Sequence, residues 1–171
     1  MNTNKLVMAS LMTCLIIVAT MFFKIPVPFG HGYIHAGDSM IFMAVLLLGI
    51  RYGAAAAAVG SAMGDVLGGF AIWAPWTFGI KGLMAVLMGL FILIAAKNAR
   101  NRMIGMTIAG VWMTAGYYAA EGVIYGNWFV ALIGIPWNVG QFAAGMAIAV
   151  ALSTALYKTP ARKYFAYQNS Q

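Results

Sequence analysis

The chain has 171 residues, of which 63% are hydrophobic and only 8% are charged. A soluble domain carries about 25% charged residues, so these totals exclude a soluble globular protein. They indicate a single membrane domain over residues 1–171, and an ATPase module would have to come from another chain. The net charge of +7 comes from cations in loops and tails. This distribution is typical of basic residues that set the orientation of a membrane protein, and it argues against nucleic-acid binding.

Six apolar segments follow one another along the chain. They cover residues 6–23, 38–51, 53–70, 75 or 76 to 96, 103–125 and 136–157. Asp38 would cap the second segment, which is short for a ~30 Å hydrocarbon core and must be covered by its neighbours or begin earlier. The first segment lacks a clear cleavage site, so we expect a retained helix and not a signal peptide. The sequence predicts an all-α integral membrane protein with six transmembrane helices.

The basic residues predict the orientation of these helices. With the N-terminus inside, the cytoplasmic segments hold Lys5, Arg51, Lys97, Arg100, Arg102, Lys158, Arg162 and Lys163. The outer loops then hold only Lys24. Because basic residues concentrate in cytoplasmic loops, we expect a multi-pass cell-membrane protein with both termini in the cytoplasm.

Small residues recur at four-residue spacing in the third segment, at Ala56, Gly60, Gly64 and Gly68. Such spacing lets helices approach closely in lipid, and we expect it to serve packing within the chain. The first segment offers a weaker pattern at Ala9 and Thr13. This second face could meet a partner subunit.

Polar residues from five segments fall in one outward layer. They are Asp38, Asp65, Lys81, Glu121, Asn138 and Gln141, with Trp76 and Tyr117 among the surrounding aromatics and His35 in the outer loop. Ionisable groups inside a membrane are costly and usually functional, and aromatics with a few polar groups suit a small, flat ligand. The alternative is a structural ion-pair network, which is harder to satisfy without a ligand. The sequence leaves open whether Lys81 pairs with Asp65, with Glu121 or with the ligand.

Catalytic and metal-binding patterns find little support. His31, His35 and Asp38 are spaced like metal ligands, but no cysteine cluster or Glu-x-x-His helix accompanies them, so we expect a polar lid loop. The sequence contains no phosphate-binding Gly-x-x-x-x-Gly-Lys-Ser/Thr loop and no Ser/His/Asp pattern. We therefore expect no enzyme activity, no metal and no cofactor.

Four stretches carry a family resemblance: GDSMIFMAVLLLG, GSAMGDVLGGFAIWAPWTFGIKG, GYYAAEGVIYG and IPWNVGQ. Over roughly residues 30–150 the chain resembles the substrate-binding S components of energy-coupling factor (ECF) vitamin transporters, in the branch of riboflavin-type and hydroxymethylpyrimidine/pyridoxine-type proteins. The resemblance implies six helices, a vitamin bound from the outside, and assembly with a transmembrane T component and two cytoplasmic ATPases.

The resemblance also concerns individual positions. The family pattern often reads Lys-Gly-x-Glu-Gly in the fourth helix, whereas this chain reads KGLMA and has Met84 at the Glu position. In the family the first helix carries a small-residue patch facing the T component, which Ala9 and Thr13 match loosely.

The leading hypothesis is thus an S component whose outer loop, residues 26–37, closes over a ligand, with pyridoxine (vitamin B6) favoured. A riboflavin or thiamine-precursor S component is the first alternative. A self-contained proton- or ion-coupled carrier or channel built on Asp65 and Glu121 is another. An assembly protein without a ligand is the last.

Overall fold

The computed structural model describes residues 3–26, 33–95 and 97–167. Its helices are α1 (Thr3–Phe22), α2 (Gly37–Leu67), α3 (Ala74–Ile94), α4 (Ala99–Tyr125) and α5 (Trp128–Tyr157). A small antiparallel hairpin joins β1 (Lys24–Pro26) to β2 (Tyr33–His35), and 3-10 turns cover Ala71–Trp73 and Pro160–Tyr164. The nearly all-helical fold agrees with the sequence. His31, and the predicted end of the fourth segment at Ala96, lie outside the described residues.

Helix α2 consists of two helical segments that reverse direction at Gly49. This glycine has φ 76° and ψ −172°, which is not helical. A Cβ atom built on Gly53 would lie 2.9 Å from the Cα atom of Val45, whereas eight residues of straight helix would separate the two positions by about 12 Å. Residues 37–48 and 50–67 therefore form a tight antiparallel hairpin, and the predicted boundary at residues 49–51 falls at the reversal.

Glycine contacts give the direction of the remaining helices. Gly60 faces Ile16 and Gly64 faces Thr20, so α1 runs parallel to residues 50–67. Three further pairs, Gly105 with Ile92, Gly116 with Ile80 and Gly122 with Trp128, make α3, α4 and α5 successively antiparallel. One end of the bundle, the tail end, carries the start of α1, Gly49 and residues 158–167. The other, the hairpin end, carries β1, β2, residues 68–73 and the α4–α5 turn.

The glycine stripe of residues 50–67 packs within the chain, as expected. A Cβ atom on Gly60 would lie 3.0 Å from both Ile16 Cγ2 and the carbonyl oxygen of Thr13. Ala9 lies on the same helix and is buried in the core. Because α2 already covers Ala9, the partner contact predicted for Ala9 and Thr13 would have to use the neighbouring exposed face of α1.

Four of the described helices are long and apolar enough to cross a membrane. They are Thr3–Phe22, Gly37–Leu67, Trp128–Tyr157, and the range Ala71–Ile94, which consists of α3 and the 3-10 turn before it. Helix α4 is not in this set, although its apolar exterior includes Ile104, Ile108 and Val111. Six spans and cytoplasmic termini therefore stay predictions.

The start of α5 and the N-cap of α2 differ most clearly in their physical cause from the prediction. Helix α5 begins at Trp128 and not at Pro136, because the Asn127 side chain accepts hydrogen bonds from the backbone N–H groups of Phe129 and Val130 at 3.0 and 3.2 Å. Pro136 then lies inside the helix. Asp38 is not the N-cap of α2, since Ala36 occupies that position and the Asp38 carboxylate turns into the bundle.

Candidate ligand site at the hairpin end

Asp38 and Lys81 form a completely buried ion pair. Both side chains have zero exposure, and the Lys81 ammonium donates to Asp38 Oδ1. Gln141 Nε2 donates to the second carboxylate oxygen at 3.0 Å, so three helices meet at one carboxylate. A buried pair is tolerated only when further hydrogen bonds satisfy its charges, which Gln141 provides here. Lys81 therefore pairs with Asp38, a partner that the sequence reading did not consider.

The β1–β2 hairpin contacts this cluster through Gln141. The backbone N–H of His35 donates to Gln141 Oε1 at 3.1 Å, and the N–H of Gly37 donates to His35 Nδ1 at 3.0 Å. Burial, and after it the Lys81 cation, lower the pKa of His35 to about 4. At neutral pH His35 is thus an uncharged acceptor that fixes the junction between β2 and α2.

Aromatic and sulfur groups line the other side of the lysine. Its ammonium donates to Met113 Sδ at 2.8 Å and lies 5.3 Å from the centre of the Tyr117 ring. The hydroxyl groups of Thr77 and Tyr117 are 3.1 Å apart. Tyr117 is also 6.3 Å, between ring centres, from Trp73.

Sequence reasoning missed Met113, Thr77 and Trp73 as members of the cluster. The first two lie four residues before Tyr117 and Lys81 respectively, and side chains at i and i+4 share a helix face. That spacing is the sequence signal that could have placed Met113 and Thr77 in the cluster. Trp76, the tryptophan that the sequence predicted for the site, exposes 37% of its surface. Trp73 instead makes an edge-on contact with Tyr125, with 6.0 Å between the ring centres.

Glu121 and Asn138 form a second polar group between α4 and α5. Asn138 Nδ2 donates to the carbonyl of Gly134 at 3.0 Å. A Cβ atom on Gly134 would lie 2.7 Å from Glu121 Oε1, so glycine leaves room for the carboxyl group. Glu121 is partly buried at the same end of the bundle as the ion pair.

Asp65 is buried on the side of the bundle that faces α1 and β1. Its neighbours Gly64 and Gly68 face Thr20 and the Lys24 ammonium. The hydrogen bonds given above for Asp38 and Gln141 do not include it. The structure thus brings Asp38, Lys81, Gln141, His35 and Tyr117 together, and it places Asp65 on another face.

The cluster suits binding better than catalysis. Within residues 3–26, 33–95 and 97–167 there is no group of three His, Cys, Asp or Glu side chains that could hold a metal ion. The charges of Asp38 and Lys81 cancel, and the Tyr117 ring lies against the lysine, with Trp73 next to Tyr117. A membrane-embedded helical bundle with such a buried polar cluster at one end has the features of a ligand-binding membrane protein.

Comparison with known proteins identifies the class more closely. The family model described as "ECF-type riboflavin transporter, S component" matches residues 1–158. The chain therefore belongs to this family of S components. It is a multi-pass membrane protein of a vitamin-transport family, and not itself an enzyme.

Two relatives and one solved structure extend this result. The chain is 28% identical over 159 residues to the thiamine precursor transporter HmpT of Lactococcus lactis subsp. cremoris (strain MG1363), covering 92% of this chain and 90% of HmpT. It is 38% identical over 112 residues to an uncharacterized protein of Pyrococcus woesei, covering 64% and 72% of the two chains. A structure reported as the S component of a bacterial ECF transporter superposes with a TM-score of 0.70 at 20% identity, covering 91% and 96%, which supports the fold.

Proposed function

We propose that this chain is the substrate-binding subunit of an ECF-type importer and takes up a small, flat heteroaromatic alcohol from outside the cell. A T component and two ATPase subunits would supply the energy. The observation that carries the proposal is the neutral Asp38–Lys81–Gln141 cluster beneath Tyr117 at the hairpin end. Membership of the S-component family supports the same role.

The charges of the cluster favour an uncharged ligand. A ligand with a net charge would leave one partner of the Asp38–Lys81 pair unbalanced in a buried site, which is costly. An uncharged ring with its own donors and acceptors can exchange hydrogen bonds with the carboxylate, the ammonium and the Gln141 amide. The rings of Tyr117 and Trp73 can then stack on the flat face of the ligand.

Among such ligands we place a hydroxymethylpyrimidine, a thiamine precursor, ahead of the pyridoxine favoured by the sequence alone. An aminopyrimidine offers an amine for a carboxylate and ring nitrogens for an ammonium or amide, which matches Asp38, Lys81 and Gln141. A relative that covers 92% of this chain is named a thiamine precursor transporter. Riboflavin, with three fused rings, would require more room within the same contacts.

Entry of the ligand would require the outer hairpin to move. His35 contacts Gln141 through its backbone, so β2 lies against the cluster. We propose that this contact opens for loading and re-forms over the bound ligand. The hairpin end would face the outside, with six spans and both termini in the cytoplasm.

A direct binding measurement tests the function. Purified protein in detergent is titrated by calorimetry with hydroxymethylpyrimidine, pyridoxine, riboflavin and thiamine, and any co-purifying ligand is identified by mass spectrometry. We expect saturable binding of the pyrimidine and quenching of tryptophan fluorescence that Trp73→Phe abolishes. Trp76→Phe is the matched control and should leave the quenching intact. Absence of binding for all four compounds would refute the proposal.

Labelling of single cysteines tests the orientation. The one native cysteine, Cys14, is replaced by serine, and Ile72→Cys at the hairpin end is compared with Lys97→Cys at the tail end. A membrane-impermeant maleimide should label the first variant in intact cells and the second only after lysis. The reverse pattern would overturn the orientation without bearing on ligand binding.

A further inference from the structure

A crevice opens between α4 and α5 at the tail end, far from the ion pair. Its cavity volume is about 60 Å³. Its lining combines the apolar side chains of Met103, Met106 and Val150 with the polar groups of Arg102, Ser153 and Tyr157. The ligand cluster uses none of these residues, so the crevice requires its own explanation.

Arg102 is held in a fixed position at the crevice. One of its guanidinium N–H groups donates to the Tyr157 hydroxyl, and the guanidinium carbon lies 4.7 Å from the centre of the Tyr157 ring. Tyr157 is itself stacked on Phe165 at 4.1 Å between ring centres. An arginine has five N–H donors in a rigid fork that matches a phosphate group, and this bond to Tyr157 occupies one of them.

The surroundings of the crevice are apolar on one side and basic on the other. Met103, Ile104 and Leu152 expose between 37% and 45% of their surface on the outer faces of α4 and α5. Arg100 and Lys158 are exposed at the same end of these helices. A molecule that fits both surroundings carries an anionic head group and a hydrocarbon chain.

We propose that this crevice binds an anionic phospholipid. The phosphate group would lie on the free donors of Arg102, with Ser153 and Tyr157 beside it, and an acyl chain would follow the apolar exterior of α4 and α5. Basic pockets between membrane helices commonly bind anionic head groups. The bound lipid would fill a polar opening between two helices that hydrocarbon alone leaves unsatisfied.

The test measures lipid affinity on the full-length protein in detergent. Phosphatidylglycerol and phosphatidylcholine are titrated separately, and bound lipid is counted by native mass spectrometry. We expect phosphatidylglycerol to bind the wild-type protein with one preferred site and about tenfold more tightly than phosphatidylcholine. Equal binding of the two lipids would overturn the proposal without any mutation.

Two variants locate the site. Arg102→Gln should lower the affinity for phosphatidylglycerol about tenfold, and Arg102→Lys should lower it less, because the charge stays while the fork is lost. Arg100→Gln removes an exposed cation two residues away on another face of α4 and should change the affinity less than about twofold. Equal losses in Arg102→Gln and Arg100→Gln would show diffuse charge attraction and refute a defined site.

A competition arm separates the lipid from a soluble anion. An excess of inorganic phosphate should leave bound phosphatidylglycerol in place, because phosphate lacks the acyl chain that contacts α4 and α5. Displacement by phosphate would show a site for a soluble anion and overturn the lipid assignment.

Discussion

The two ends of the bundle are closed by different kinds of contact. At the hairpin end, a buried ion pair and two hydrogen bonds through Gln141 join α2, α3, α5 and β2. At the tail end, residues 165–167 pack against the reversal at Gly49, with Phe165 and Tyr167 buried. The Ala166 N–H donates to the carbonyl of Leu46 at 2.9 Å.

The difference indicates which end can exchange contacts with a ligand. Hydrogen bonds to a carboxylate and an amide can be replaced one for one by a polar ligand. Buried aromatic rings at the tail end have no such substitute, because their stabilisation comes from apolar area and packing. We therefore expect the hairpin end to change on loading while the tail end stays closed.

Lys81→Met should produce the largest effect, because it leaves the Asp38 carboxylate buried without its cation. Breaking one partner of a buried pair costs about 3–5 kcal/mol. We expect a marked fall of the melting temperature in detergent and loss of measurable ligand binding. Calorimetry and a thermal-unfolding assay monitored by fluorescence measure the two effects.

The double variant Asp38→Asn/Lys81→Met is the control for this change. Removing both charges should restore most of the stability, since buried pairs contribute little net free energy. Ligand binding should stay absent. Recovery of binding in the double variant would show that the ion pair serves the fold and not the ligand.

Phe165→Ala should destabilise the tail end strongly and leave ligand binding nearly unchanged. The side chain is 3% exposed and stacks on Tyr157, and truncating a buried phenylalanine costs about 3–5 kcal/mol. We expect a lower melting temperature and an affinity within about twofold of wild type, the change expected of a site remote from the mutation. Tyr164→Ala, at an exposed neighbour, serves as the control. A large loss of affinity in Phe165→Ala would show that the two ends are coupled.

Gly145→Ala should disturb the hairpin end by a smaller amount. A Cβ atom at this position would lie 2.9 Å from Asp38 Cβ and 3.1 Å from the Ser39 nitrogen, so α5 would have to shift away from α2. Overpacking typically costs about 1–3 kcal/mol. We expect the loss of binding free energy for the ligand to exceed the loss of unfolding free energy. Gly140→Ala, where nothing lies within 4 Å, is the matched control on the same helix.

The sequence predicted the helical class, the glycine packing and most residues of the cluster, because these depend on composition and helical spacing. It did not predict that Lys81 pairs with Asp38. That contact joins residues 43 positions apart. It depends on the reversal at Gly49, because the reversal sets where residues 37–48 lie along the length of the bundle. The docking of Phe165 and Tyr167 was also missed, since short aromatic segments after a helix carry no periodicity.

The last effect we predict is a pH dependence from His35. The pKa of His35 is about 4 in the folded chain against an ordinary 6.5, so between these values the unfolded chain binds a proton that the folded chain does not. The free energy of unfolding should therefore fall as the pH drops from 6.5 towards 4. Protonation at Nδ1 would also break the bond from Gly37 and loosen β2 at the proposed ligand site. Melting temperatures measured across this range should decline less steeply in His35→Gln than in wild type, whereas equal slopes would assign the decline to other groups.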